Sequence, residues 1–226
     1  MGRVVAWRPA LTMDGKMSVK IGLISDIHAT AAPLREALTI FKQERVDLVI
    51  CAGDIAGYGT ELEQCIELLV EGHCTTILGN HDVWYIDRLV EGQEERVETF
   101  FHKLPVTWEA TVEGKRIFAV HASPPLSMSR GITLLDQYEK NLPGEKKRWG
   151  DELGGYGLDV LVVGHTHQVF AEVLGQTLVL NPGSTKFNHS CAILSLPDLE
   201  VRIVPLSGKT PRKIWHWGMM SKGISS

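Results

Sequence analysis

Residues 19–53 read VKIGLISDIHATAAPLREALTIFKQERVDLVICAG. Their two ends, VKIGLIS (19–25) and VDLVICAG (46–53), are short, nearly continuous apolar runs, the pattern of strands covered on both faces of a sheet. Between them PLREALTIFKQE places Leu34, Ala37, Leu38 and Phe41 on one helical face, and Pro33 suits a first helical turn. The stretch therefore predicts a βαβ unit.

Working outward, Thr60 and Glu63 in TELE have capping-box spacing, and Leu62, Cys65, Ile66 and Leu69 follow at helical intervals before the strand-like CTTILG (74–79). A polar, amphipathic stretch from about Val83 to Lys103 predicts further helix. The pattern then changes to short runs, VTWEAT, KRIFAVH, LDVLVVGH, QVFAEV, QTLVLN, SCAILSL and LEVRIVPL, with glycine-containing turns such as EGK and LGQ. An α/β (α+β) layered protein is expected, with an antiparallel or mixed second half.

At 226 residues and 44% hydrophobic, the chain can bury a full core. No linker divides it, so residues 17–226 are expected to form one domain, with 1–16 a disordered extension. The net charge of −4 and a pI near 6.1 exclude a general nucleic-acid or anionic-membrane binder. The basic cluster EKKRWGDE (145–152) is flanked by acids and reads as a solvated loop or helix face. No apolar stretch approaches the roughly 18 residues of a membrane span, and the first residues lack a secretory apolar core. Cys51, Cys65, Cys74 and Cys191 form no CxxC pair and sit in apolar segments, which predicts buried reduced thiols and a cytoplasmic protein.

The polar residues that interrupt the apolar runs fall at strand ends. Asp26 and His28 follow the first strand, Asp54 the second, and Asn80, His81 and Asp82 the third; His121 follows KRIFAV, His165 and His167 follow VLVV, and NPGST (181–185) follows TLVL. In open α/β sheets the carboxyl ends of strands face the binding crevice, so distant loops meet there. The pair in VVGHTHQV (162–169) is expected to be extended, with both rings on one side. Each residue alone has a bland alternative: Asp54 as a helix cap, His28 at the surface, His121 as a core histidine bonded to a carbonyl. All of those alternatives would have to hold together.

Nitrogen and oxygen donors without thiolate suit Mn²⁺, Fe, Zn²⁺ or a mixed pair rather than a structural zinc. Seven metal-type side chains, two Asp, one Asn and four His, exceed one tetrahedral shell. Two divalent ions against two carboxylates and one hydroxide leave about one positive charge, which attracts an anion. Such ions, about 3.5 to 4 Å apart, acidify a shared water and clamp the oxygens of an in-line phosphoryl displacement.

The ordered set D-x-H, GD, GNHD, H, GHTH and NPGS, spanning about residues 18–205, resembles the calcineurin-like metallophosphoesterase family, and most of all its small bacterial and archaeal phosphodiesterase branch. The resemblance implies a four-layer αββα sandwich of two mixed sheets. It also implies two divalent ions, Mn²⁺ foremost, with Fe, Zn²⁺, Ni²⁺ or Co²⁺ as alternatives. Asp26, His28, Asp54 and His167 would hold one ion; Asp54 would bridge to a second held by Asn80, His121 and His165. A hydroxide bridging the ions would attack phosphorus, with His81 as general acid and Asp82 orienting its ring.

Ala29 and Ala122 stand where the family commonly has glycine, which implies some backbone adjustment. The arginines that phosphoprotein phosphatases place after GD and GNH are missing here, with Arg88 at another spacing, and this favours a small phosphodiester substrate. Tyr58, Trp84 and Tyr85 could stack on a leaving group, and Ser123 with its two prolines could wall a pocket. Trp215 and Trp217 could cover an apolar patch or a homodimer surface. His73, His102, His189 and His216 match no motif. A catalytically silent protein-binding scaffold of the same fold, a dinuclear amidohydrolase or peptidase, a phosphomonoesterase and a dinucleoside polyphosphate hydrolase are the alternative readings.

Overall fold

The computed structural model describes residues 18–89, 95–216 and 219. The readings of residues 1–16 and of Trp217 lie outside them. Ten strands form two five-stranded mixed sheets. The first has the order β10-β9-β1-β2-β3, built from β1 (Val19–Ile24), β2 (Leu48–Cys51), β3 (Thr75–Thr76), β9 (Ser190–Leu196) and β10 (Glu200–Pro205). The second has the order β4-β5-β6-β8-β7, from β4 (Thr107–Val112), β5 (Lys115–Val120), β6 (Val160–Val162), β7 (Val169–Leu174) and β8 (Thr177–Pro182).

Alternation along the strands builds four layers. Val19, Ile21 and Leu23 of β1 pack with Ile117 and Ala119 of β5 and Val160 and Val162 of β6, filling the space between the sheets. On the other side, Ile24 and Cys51 meet Leu34, Ala37 and Phe41 of α1 (Ala31–Gln43) and Cys65, Ile66 and Leu69 of α2 (Leu62–Glu71), with Val97 and Phe101 of α4 (Glu95–His102). The outer face of the second sheet, through Leu161, Val179 and Phe170, is covered by Trp149 and Leu153 of α5 (Pro143–Leu153). The order is αββα, as the resemblance implies. It explains why β1 and β6 read as continuous apolar runs: neighbouring residues feed different cores.

The basic cluster lies on α5, where Lys147 pairs with Asp151 at 2.8 Å and Arg148 with Glu145 and Glu152, while Trp149 is fully buried. All four cysteines are free. Burial pushes the thiols of Cys65, Cys74 and Cys191 up to about 12, which makes them poor nucleophiles. Among the described residues no helix is long and apolar enough to cross a membrane.

One local expectation is corrected. The capping box at Thr60 and Glu63 does not form, and α2 starts at Leu62 without a side-chain cap. Glu61 occupies that position because it is tied to α1: its N–H donates to the Ala29 carbonyl at 3.0 Å, and its carboxylate accepts from Ala31 N–H at 3.0 Å. A carboxylate at the first turn of α1 is favourable there.

Candidate metal centre

In the first sheet β1, β2 and β3 run parallel, and in the second β5, β6 and β8 do. Their carboxyl ends share one edge of the sandwich, and the loops that follow carry all seven expected ligands. Asp26, His28, Asp54, Asn80, His121 and His167 are buried, and His165 is half-buried. The loops are stitched together by backbone: Asp26 N–H donates to Gly53 O, His28 N–H to Asp54 O, and Gly164 N–H to His121 O, at 3.0, 3.0 and 2.8 Å. Ser184 of the NPGS motif donates its hydroxyl to Asp26 O at 2.6 Å, so that motif holds the first loop in place.

Strain is concentrated here. Asp26, His28, Ala29, Asp54, His165 and His167 all have φ between 48° and 65°, the left-handed region. Each such residue costs on the order of 1–3 kcal/mol and persists only where a rigid frame dictates it. At Ala29 this is the adjustment expected where the family prefers glycine.

The same angles correct the reading of VVGHTHQV. β6 ends at Val162, and His165 and His167 lie in a turn closed by Thr166 N–H to Gly164 O at 2.7 Å. Left-handed backbone at both histidines sends the rings to different partners instead of one. His165 Nδ1 lies 2.8 Å from Asn80 Oδ1, whereas His167 Nε2 lies 3.3 Å from Asp26 Oδ1 and 3.0 Å from His28 Nε2.

Three overlapping groups of candidate donors result. Asp26, His28 and His167 bring one donor atom each within 4.8 Å of one another; so do Asp26, Asp54 and His121, and also His28, Asp54 and His81. Backbone carbonyls, which can only accept, fix which nitrogen of each ring is free. His28 Nδ1–H donates to Ala56 O at 3.1 Å, His121 Nδ1–H to Ala52 O at 2.7 Å, and His165 Nε2–H to Ser129 O at 3.0 Å. The opposite nitrogens then aim at the carboxylates and at Asn80, the arrangement by which ligating imidazoles are oriented.

Asn80 faces two of these rings. With Oδ1 toward the rings, it meets His165 Nδ1 at 2.8 Å, acceptor against acceptor, and His121 Nε2 at 3.1 Å, which is an acceptor only while that ring is neutral. Two arrangements resolve this. The amide can turn so that its nitrogen donates to both rings and to Met128 O, or a cation can sit between them with the oxygen as ligand. The donor set thus fits divalent metal ions: carboxylate, amide oxygen and imidazole, with no thiolate.

The electrostatics agree. Asp26 and Asp54 are almost fully buried, and among the described residues neither pairs with Lys or Arg. Burial favours their neutral form, but His167 beside Asp26 and His121 beside Asp54 overcome it and lower both pKa values. Burial pushes His28 down to about 4, partly offset by Asp26, and pushes His165 down with help from His121. His121 goes the other way: burial opposes its charge, yet Asp54, 3.3 Å away, carries it to about 9.

An ion held by His121 would therefore have to displace its proton. Apparent metal affinity is expected to rise with pH from 7 to about 9, by up to about tenfold per unit, and then flatten. Titrations at pH 7, 8 and 9 check this; a flat profile would mean that His121 is already neutral.

Asp82 does not orient His81. One of its oxygens accepts from Asp54 N–H at 2.9 Å and Gly79 N–H at 2.8 Å, and the other from Ala56 N–H at 2.8 Å. The carboxylate is spent on tying the GD loop to the start of α3 (Asn80–Ile86), and its hydrogen bonds among the described residues go to backbone rather than to the His81 ring. Burial and then Asp54 raise it to about 7, against those amide bonds. The ring of His81 meets Tyr58 instead, with Nε2 3.0 Å from the phenol oxygen, and Trp84 packs beside it at 4.9 Å between centroids. Burial lowers its pKa against the pull of Asp54. Tyr85 turns into the helical core beside Phe101, and Ser123 spends its hydroxyl on Arg130 O.

The motif glycines mark close approaches. A Cβ on Gly79 would stand 2.1 Å from Asp54 Oδ1 and 2.4 Å from its nitrogen, and one on Gly164 would stand 2.0 Å from Ser25 Oγ and 2.7 Å from Asp26 Oδ2. Gly79→Ala is expected to cost about 1–3 kcal/mol of stability, as overpacking does, and to displace a ligand carboxylate. Thermal melting with and without metal would show both losses; an unchanged metal-induced shift would contradict the second.

The sandwich brings carboxylates and imidazoles together at its edge in groups that could hold a divalent metal ion. The chain matches the calcineurin-like phosphoesterase superfamily domain over residues 19–197 and belongs to that family, whose members use divalent metals and act on phosphoester bonds. An uncharacterized protein of Methanocaldococcus jannaschii is 26% identical over 182 residues, covering 72% of this chain and 68% of that protein. Among solved structures, a hypothetical protein of Pyrococcus horikoshii shares the fold with TM-score 0.66 at 17% identity, over 91% of this chain and 92% of that one. A metallophosphoesterase of Sphaerobacter thermophilus does so with TM-score 0.64 at 22% identity, over 84% and 88%.

Proposed function

We propose that this chain is a metal-dependent phosphodiesterase. The observation that carries the reading is the convergence of ring nitrogens and the Asn80 amide around two buried carboxylates that have no lysine or arginine partner among the described residues. Asp26, His28, Asp54 and His167 would hold one divalent ion, and Asn80, His121 and His165 a second, with Asp54 between the two sets. Bound there, the ions supply an acidified water nucleophile and neutralise phosphate charge.

The chain's own groups do the rest. His81, half-buried at the rim and braced by Tyr58 and Trp84, faces the departing oxygen and donates a hydrogen bond or proton to it. Tyr58 and Trp84 offer exposed aromatic faces to the organic part of the ester. The missing arginines favour a singly charged diester over a dianionic monoester. A solved archaeal phosphodiesterase, 22% identical with TM-score 0.54, has the same fold.

The test compares release of nitrophenol from bis-p-nitrophenyl phosphate and from p-nitrophenyl phosphate with added Mn²⁺. Faster diester cleavage is expected. Cleavage of the monoester alone would correct the substrate class, and a metal-loaded protein inert to every ester would indicate a scaffold.

A further inference from the structure

Three of the four ligand rings are steered by a hydrogen bond from their far nitrogen to a backbone carbonyl: His28 to Ala56, His121 to Ala52 and His165 to Ser129. His167 makes no such bond among the described residues. Its ring lies instead against Phe187, centroids 5.4 Å apart and 29° between planes, and against Trp215 at 5.2 Å. Phe187 and Trp215 stack on each other at 3.8 Å and 14°, and Phe187 also reaches His28 at 5.5 Å.

The backbone around His167 is held by the same neighbours. Its carbonyl accepts from Asn188 Nδ2 at 2.9 Å and from Trp215 N–H at 3.1 Å. Asn188 Nδ2 also donates to Arg212 O at 2.8 Å, Arg212 N–H donates back to Asn188 O at 3.0 Å, and Val169 N–H donates to Lys213 O at 2.8 Å. Gln168 and Ile214 form an antiparallel bridge. The turn that carries His167 has no ladder of its own, so residues 212–215 strap it down from outside. These residues lie beyond the 19–197 span of the family domain.

We propose that the C-terminal strap is part of the metal centre, with Trp215 a positioning residue that fixes the His167 ring by packing where the other ligands use a hydrogen bond. The proposal rests on the two-ion reading above. A ring free to rotate about χ1 and χ2 must be ordered by the incoming ion, and loss of supporting contacts around a ligand typically weakens metal binding by about 10–100-fold. The effect should fall on the set built from Asp26, His28 and His167, and spare the one built from Asn80, His121 and His165.

The experiment titrates metal-free full-length protein with Co²⁺, following heat and the visible absorption that reports coordination, for the wild type, Trp215→Leu and Trp215→Phe. Leucine keeps apolar bulk but offers no flat face; phenylalanine keeps the face. The expected result is two equivalents in the wild type, one of them weakened about tenfold or more with an altered spectrum in Trp215→Leu, and near wild-type behaviour in Trp215→Phe. Two equivalents bound as in the wild type by Trp215→Leu would overturn the proposal. So would equal weakening of both alongside a lower melting temperature of the metal-free protein, which would make the strap a general support of the fold. A wild type that binds no ion pair would overturn the two-ion reading as well.

Discussion

Asp54→Asn is expected to lower phosphodiester turnover at least about a thousandfold while leaving the fold intact. Asparagine is isosteric with aspartate and tolerates left-handed backbone as well, so φ of 55° at this position is not an obstacle. What changes is charge. Asp54 Oδ1 lies 3.3 Å from His121 Nε2 and accepts His81 N–H at 2.8 Å, so it stands between the ligand sets and the group proposed to meet the leaving oxygen. A neutral amide removes half the carboxylate charge that would hold the cations. It also removes the main influence that keeps His121 protonated against burial. Steady-state rates beside circular dichroism and melting curves check this; a folded variant with more than a tenth of the wild-type rate would remove Asp54 from the centre of the account.

His81→Ala should lose about 10²–10⁴-fold in turnover, the range of general acid catalysis, and keep both metal equivalents. The ring lies near enough to His28 and Asp54 to be considered as a ligand, yet its Nε2 is bonded to the Tyr58 hydroxyl. The two roles separate cleanly. A ligand would be missed in the metal titration, whereas a donor would be missed most with a poor leaving group and least with nitrophenolate, which departs without protonation. Equal losses for alkyl and nitrophenyl diesters, or loss of one ion, would assign His81 to metal binding instead.

The first half of the fold is legible because parallel strands covered on both faces cannot hide: LVIC is apolar throughout and VKIGLI is so but for Lys20, and the polar residues that follow them stand out as the loops of the centre. The residue types of the site are legible for the same reason. Its geometry is not. The turn at His165 and His167 is not extended, and nothing in GHTH announces its left-handed backbone. Asp82 follows His81 in the chain, which suggests a partnership, but the start of α3 turns its carboxylate onto the backbone of residues 54, 56 and 79. The carbonyls of Ala52, Ala56 and Ser129 that choose the ring nitrogens leave no trace in side-chain identity. Tyr58 was legible as an aromatic near the cleft, though not as the partner of His81. Trp215 reads from sequence as apolar cover, and only the folded chain lays it against His167.

The central claim is tested most directly by anomalous diffraction from crystals of the wild-type protein grown with Mn²⁺. The account predicts two peaks per chain, one enclosed by Asp26, His28 and His167 and the other by Asn80, His121 and His165, with the Asp54 carboxylate between them. A single peak, or none among these side chains at saturating metal, would contradict it.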